Sequence, residues 1–103
     1  MSGEDVYSFT RKAYKRLKDD DFTFRLANLR GVHGLCDIGD KRIRLNPKGE
    51  LLSTLVHEIL HDVNPSWNET KVLREESRIM ARLSHRQMIN LLSALCEALK
   101  RCH

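Results

Sequence analysis

Hydrophobic and polar positions follow a helical period near the start of the chain. Between residues 4 and 18, apolar residues recur at spacings of three and four, with arginines and lysines between them. This pattern predicts an amphipathic helix that the acidic triplet Asp19 to Asp21 ends. Its apolar positions are Val6, Phe9, Ala13, Tyr14 and Leu17.

The pattern then changes to the two-residue period of strands. In "FTFRLANL", the apolar residues Phe22, Phe24 and Leu26 alternate with polar ones, as in a half-buried strand. The runs "VHGLCDI" and "KRIRLN" flank a Gly39-Asp40 turn. We therefore expect a hairpin of two short strands after the first strand.

Helical periodicity returns at residue 49 and continues almost to the end. Asn64-Pro65 ends a first helix over residues 49 to 63. Ser84 and Gln87 have the spacing of a capping box, which divides the remainder into helices over residues 68 to 83 and 85 to 101. The order of elements predicts one α+β domain over residues 1 to 103. In it, a small three-stranded antiparallel sheet packs on a helical layer.

Composition and charge narrow the class of protein. The three cysteines form no Cys-x-x-Cys pair, so neither a disulfide framework nor a thiolate zinc site is expected. The first residues lack the apolar core of a signal peptide, and no apolar run is long enough to span a membrane. We expect a soluble cytoplasmic protein that does not enter membranes.

The stretch "TLVHEILHDV" contains the candidate metal-binding residues. His57 and His61 lie about 40° apart on one helix face and one turn apart along the axis, so both imidazoles can reach one metal ion. Glu58 lies about 100° from His57, where it can touch a metal-activated water without being a ligand. Because apolar residues occupy the other side of this predicted helix, the sequence predicts a zinc site on its polar sector.

A third ligand is expected on the following helix. Glu76 lies about 20° from Glu69, both on the apolar stripe, whereas Glu75 lies about 120° away. The short turn after His61 brings Glu69 near the metal helix, so Glu69 is favoured and Glu76 is the alternative third ligand. Asp62, Asp37 or no third protein ligand remain open. The apolar members of the stripe are Val72, Leu73, Ile79, Met80 and Leu83.

A basic ridge is predicted opposite the apolar stripe of the same helix. Such a ridge could lie along nucleic-acid phosphates, but a solvated helix face is the more ordinary interpretation. Glu75 is spaced to pair with Arg78 at i+3. The net charge of +4 permits an acidic partner without requiring one. The ridge comprises Lys71, Arg74, Arg78, Arg82 and Arg86.

Three segments, "KRIRLNP", "LLSTLVHEILH" and "NETKV" after a short turn, resemble the minimal zincins. These are small metallopeptidases of the SprT-like and minigluzincin (gluzincin) types. The resemblance covers roughly residues 31 to 83 and depends mainly on His57, Glu58 and His61. It implies that His57, His61 and Glu69 bind Zn2+, that Glu58 is the general base, and that a peptide substrate lies along "KRIRLN" as an edge strand.

The expected function is thus zinc-dependent hydrolysis of peptide bonds in a protein or peptide substrate, by a monomer or small homo-oligomer. The rivals are a zincin-like regulatory protein, phage- or toxin-related, with a structural zinc, and a basic DNA-associated module or metal-free helical module. A structural zinc has no need of a glutamate between its histidines, which favours the enzyme. The oxyanion donor stays open among His33, His85, Tyr7, Tyr14 and the arginines.

Overall fold

The computed structural model of the chain describes residues 5–27, 29–37, 39–47 and 50–102. Within these ranges, four helices and three short strands follow one another in the order helix, three strands, three helices. They are α1 (Val6–Lys18), β1 (Thr23–Leu26), β2 (Gly34–Asp37), β3 (Arg42–Leu45), α2 (Leu51–Val63), α3 (Glu69–Arg82) and α4 (His85–Arg101). The predicted α+β class is confirmed.

The sheet is mixed, with the strand order β1-β3-β2. β2 and β3 form the predicted antiparallel hairpin, but β1 pairs with β3 in parallel. The prediction of a purely antiparallel sheet is therefore wrong for one of its two ladders. Ile43 and Leu45 of β3 are fully buried, so the strand with the most buried residues takes the position with hydrogen-bonded neighbours on both sides.

The central position of β3 also corrects the expected substrate edge. "KRIRLN" contains β3, whose two edges are occupied by β1 and β2, so it offers no free edge to a peptide. β2 instead has one unpaired edge among the described strands. Asn46 N donates to His33 O at 2.7 Å. By the alternation of antiparallel ladders, the backbone N–H and C=O of Gly34 and Cys36 are therefore directed to that free edge.

The helices cover one face of the sheet. α2 packs against β2 and β3 and also contacts the other three helices, while α4 packs against α1 and β1. Phe24, Ile43 and Leu45 are buried on this face, but Leu26, expected to share the buried side, is 40% exposed. The described helices include none that is both long and apolar enough to cross a bilayer.

Side-chain caps mark the starts of α3 and α4. Asn68 caps α3 by accepting from Lys71 N at 2.8 Å. The predicted capping box is confirmed at α4, where Ser84 and Gln87 exchange side-chain-to-backbone hydrogen bonds. α2 ends at Val63, before Asn64-Pro65 as predicted. Only a short turn then separates α2 from α3, which fixes where the first residue of α3 can lie.

Candidate metal centre

Two consecutive helices bring the predicted metal ligands together. His57 and His61 lie one turn apart on α2, with ring centroids 5.0 Å apart. Glu69 is the first residue of α3, directly after the Asn68 cap. Trp67 in the connecting turn packs against the core, and Lys71 Nζ lies 5.0 Å from the centre of its ring. The turn is thereby anchored, and Glu69 faces the two imidazoles.

The donor atoms of these three residues converge. His61 Nε2 lies 2.8 Å from Glu69 Oε1, and His57 Nε2 lies 3.0 Å from Glu69 Oε2. One ligand atom from each of the three residues falls within 4.8 Å of the others. A tetrahedral zinc with bonds of about 2.1 Å holds its donors about 3.4 Å apart. The three side chains are thus close enough together to share one zinc ion.

Glu76, the alternative ligand, contacts the other nitrogen of the same imidazole. Its Oε1 lies 2.7 Å from His57 Nδ1. A carboxylate in this position accepts the Nδ1–H and leaves Nε2 as the nitrogen that can bind a metal. The geometry therefore separates the two glutamates, with Glu69 on the side of the converging donors and Glu76 behind His57.

The charges of this cluster reinforce one another in the metal-free protein. Burial disfavours the charged His57 imidazolium, but the Glu76 hydrogen bond and the neighbouring carboxylates outweigh it and raise the pKa of His57. For Glu69, desolvation is the largest single effect and would raise the pKa, but the hydrogen bonds and charges of His61 and His57 together outweigh it, so its pKa is lowered. Both shifts favour the ionised partners of a histidine–carboxylate network.

Glu58 is a buried carboxylate beside this network, only 6% exposed. Its side chain still lines the cleft, yet no donor from the described residues hydrogen-bonds to it. Burial raises the pKa of Glu58, and the nearby Glu69 and Glu76 add to this effect against the lowering by the two histidines. An unpartnered buried carboxylate is costly in a folded protein, and it is the condition in which a carboxylate accepts a proton readily.

The close approach of β2 to Glu58 depends on Gly34. A Cβ added at this glycine would lie 2.7 Å from Thr54 Cγ2 and 3.1 Å from Glu58 Oε2. From the sequence, Gly34 lay inside the strand run "VHGLCDI" and had no predicted role of its own. A glycine inside a strand pattern is a recognised sign of close approach by another element, and that signal was present.

The two aspartates considered as ligands lie elsewhere. Asp62 bonds Arg16 Nε of α1 at 2.8 Å, and Asp37 bonds Arg42 Nε at 2.7 Å. Neither belongs to the group of converging donors found among the described residues. Of the side chains considered as oxyanion donors, His33 lines the cleft, whereas Tyr14 lines a different groove between α1 and α4. Asp62 and Asp37 are therefore engaged in ion pairs with arginines.

The buried stripe of α3 differs from the prediction. The Glu69 side chain is 62% exposed, and Leu73 is 50% exposed. Glu75, predicted to lie about 120° from Glu69 and off the buried stripe, is buried and forms the expected ion pair with Arg78 at 2.6 Å. The buried face centres on Val72 and Ile79 rather than on Glu69. The prediction was wrong because the angles around α3 were measured from Glu69, which lies at the edge of the buried face and not at its centre.

The cleft has a volume of about 350 Å³. It is formed by the chain from Gly31 to Gly34, by α2 and by α3. Comparison of the chain with models of protein families, with curated proteins and with solved structures gives no match.

Proposed function

We propose that the protein is a zinc-dependent peptidase in which His57, His61 and Glu69 hold the metal and Glu58 is the general base. The observation that supports this most strongly is the convergence of two imidazoles and one carboxylate beside a buried carboxylate to which no described residue donates a hydrogen bond. Two histidines and one glutamate are a common ligand set of catalytic zinc, which leaves a position open for water or substrate.

Glu58 has the position and the environment for proton transfer. A bound zinc ion would supply Lewis acidity, lowering the pKa of water and polarising the substrate carbonyl. Glu58 takes the proton of the attacking water and passes it to the leaving amine. Burial raises the pKa of Glu58 toward neutral pH. Proton transfer is most efficient when the pKa of the catalytic group lies near the working pH.

Glu76 is proposed as a positioning residue. By accepting from His57 Nδ1 at 2.7 Å, it fixes the orientation and the tautomer of an imidazole whose Nε2 faces Glu69. Partners of this kind commonly change metal affinity by about 10- to 100-fold when they are removed. Glu76 therefore supports metal binding without being a ligand.

The proposed substrate is a peptide that pairs with the free edge of β2. Gly34 lines the cleft next to Glu58, and its backbone groups are directed away from β3. An extended chain can add to such an edge by main-chain hydrogen bonds. The peptide would then pass close to the carboxylate that activates water.

Zinc content after dialysis tests the metal site. We expect one zinc per chain in the wild type, a much larger loss of affinity in Glu69→Gln than in Glu76→Gln, and no loss in Glu97→Gln, an exposed control on α4. A larger loss in Glu76→Gln would reassign the third ligand. Wild-type protein that takes up no zinc, even after refolding with the metal, would contradict the proposal.

Turnover tests the role of Glu58 separately. In Glu58→Gln, zinc should be retained while hydrolysis of peptides falls by about 10²- to 10⁴-fold, the usual contribution of a general base. Zinc retention with unchanged turnover would exclude Glu58 as the general base. A wild type that holds zinc but hydrolyses no peptide would instead favour a regulatory protein with a structural zinc.

A further inference from the structure

Two aliphatic side chains are left exposed in the cleft. Leu73 of α3 is 50% exposed and Val32, just before β2, is 42% exposed, and both line the cleft that contains His57 and Glu58. Leu73 lies four residues after Glu69 and three before Glu76, so the α3 stripe that borders the cleft consists of Glu69, Leu73 and Glu76.

The location of this pair matters more than its exposure. Single exposed leucines are ordinary on protein surfaces. Here, however, two separate elements each place an aliphatic side chain in one cleft of about 350 Å³. A ligand group bound between them would remove both from water. Apolar contacts of this kind, with a few polar groups fixing orientation, are typical of binding sites.

The charged groups of the cleft restrict the ligand further. Glu58, Glu69 and Glu76 line it, and the described lining residues include neither lysine nor arginine. Even with a divalent cation bound, these three carboxylates leave the cleft without a positive excess. An aspartate or glutamate bound there would lose hydration and find no basic partner.

We infer that the cleft selects an aliphatic side chain of the peptide substrate and rejects acidic ones, with Leu73 and Val32 as the specificity-determining residues. This inference rests on the proposed peptidase function, because it concerns the residue beside the scissile bond. The metal ligands alone do not determine which substrate side chain is preferred, whereas Leu73 and Val32 do.

Binding of labelled peptides to zinc-loaded Glu58→Gln protein tests the inference without cleavage. The peptides are identical except for one central residue, which is Leu, Ala, Lys or Asp. The Leu peptide should bind roughly tenfold or more tightly than the Asp peptide. Adding Leu73→Asp should abolish the preference for Leu and improve binding of the Lys peptide. Adding Leu92→Asp instead, at a 39% exposed leucine of α4, should change neither.

The failures of the two proposals are distinguishable. Equal binding of all peptides, or equal effects of Leu73→Asp and Leu92→Asp, by protein that holds zinc would overturn the specificity inference alone. A Leu preference that depends on Leu73 in protein unable to hold zinc would support the apolar cleft and overturn the metal site. Self-association that Leu73→Asp abolishes, measured by sedimentation, would overturn the inference by assigning the pair to a second copy of the chain.

Discussion

The two sides of the core differ in which kinds of side chain are buried. On the closed side, defined by the contacts of α1 and α4 around Phe9, Leu17, Leu91 and Leu95, apolar side chains are buried. On the cleft side, defined by α2, α3 and β2 around His57, the buried set includes the carboxyl group of Glu58, and Leu73 is exposed within the cleft. The buried residues described on α1 and α4 are all uncharged. Local rules that fail together in one region indicate a binding or catalytic site.

The polar contacts of the two sides differ in the same way. On the closed side, Arg101 donates to the carbonyls of Leu17 and Asp19 at 3.0 Å each and of Phe22 at 3.3 Å. These bonds satisfy backbone groups at the end of α1. On the cleft side, Glu58 has no protein donor among the described residues. One arrangement satisfies backbone carbonyls, and the other leaves a buried carboxylate without a donor from the described residues.

The largest effect is expected from Phe9→Ala on the closed side. Phe9 is fully buried, and its truncation should lower the free energy of unfolding by about 3–5 kcal/mol through lost burial and a cavity. Urea denaturation measures this loss. Tyr7→Ala, at a residue 65% exposed on the same helix, is the control and should change stability by less than about 0.5 kcal/mol. Similar losses in both variants would contradict the closed-side packing.

Gly34→Ala probes the contact between β2 and α2 on the cleft side. The new Cβ would meet Thr54 Cγ2 at 2.7 Å, so we expect a loss of about 1–3 kcal/mol from overpacking. Thr54→Ser removes that methyl group and should restore part of the loss when combined with Gly34→Ala. The same denaturation assay on both single variants and the double variant measures the coupling. Purely additive effects would show that the close approach is not the cause.

Arg101→Met tests whether the carbonyl contacts stabilise the closed side. The side chain keeps much of its length but loses its three hydrogen bonds to carbonyls at the end of α1 and in the chain that follows, so stability should fall by about 1–2 kcal/mol. Lys100→Met makes the same charge change at an exposed neighbour and should be almost neutral. Equal changes in thermal unfolding of the two variants would mean that net charge, not capping, is responsible.

Glu58→Gln should have the smallest effect on stability and the opposite sign. Since the folded-state pKa of Glu58 is raised above 4.5, its contribution to stability is present below that value and lost as pH rises through the folded pKa. Removing the charge should therefore slightly stabilise the metal-free protein near pH 7, an advantage that disappears below about pH 4. Urea denaturation with a chelator at both pH values tests this. A destabilised variant at neutral pH would show that the ionised Glu58 has a stabilising partner.

The helical part of the fold could be predicted with good accuracy, including its interruptions. Helices depend on contacts between residues close in sequence, so the periodicity, Asn64-Pro65 and the Ser84 capping box carry the required information. The parallel pairing of β1 with β3 could not be predicted in this way. An alternating pattern indicates a strand but does not specify which strand it pairs with or in which direction.

The candidate site likewise has features that local sequence predicts and features that depend on tertiary packing. The spacing of His57, Glu58 and His61 by itself determined that two imidazoles share a helix face with a carboxylate near them, because helix geometry is local. Only the tertiary structure decided that Glu69 meets both imidazoles while Glu76 accepts from His57 Nδ1. It also decided that Glu58 is buried and Leu73 exposed. These properties depend on how α3 and β2 pack against α2, and packing between distant segments is set by the whole core rather than by any one stretch of sequence.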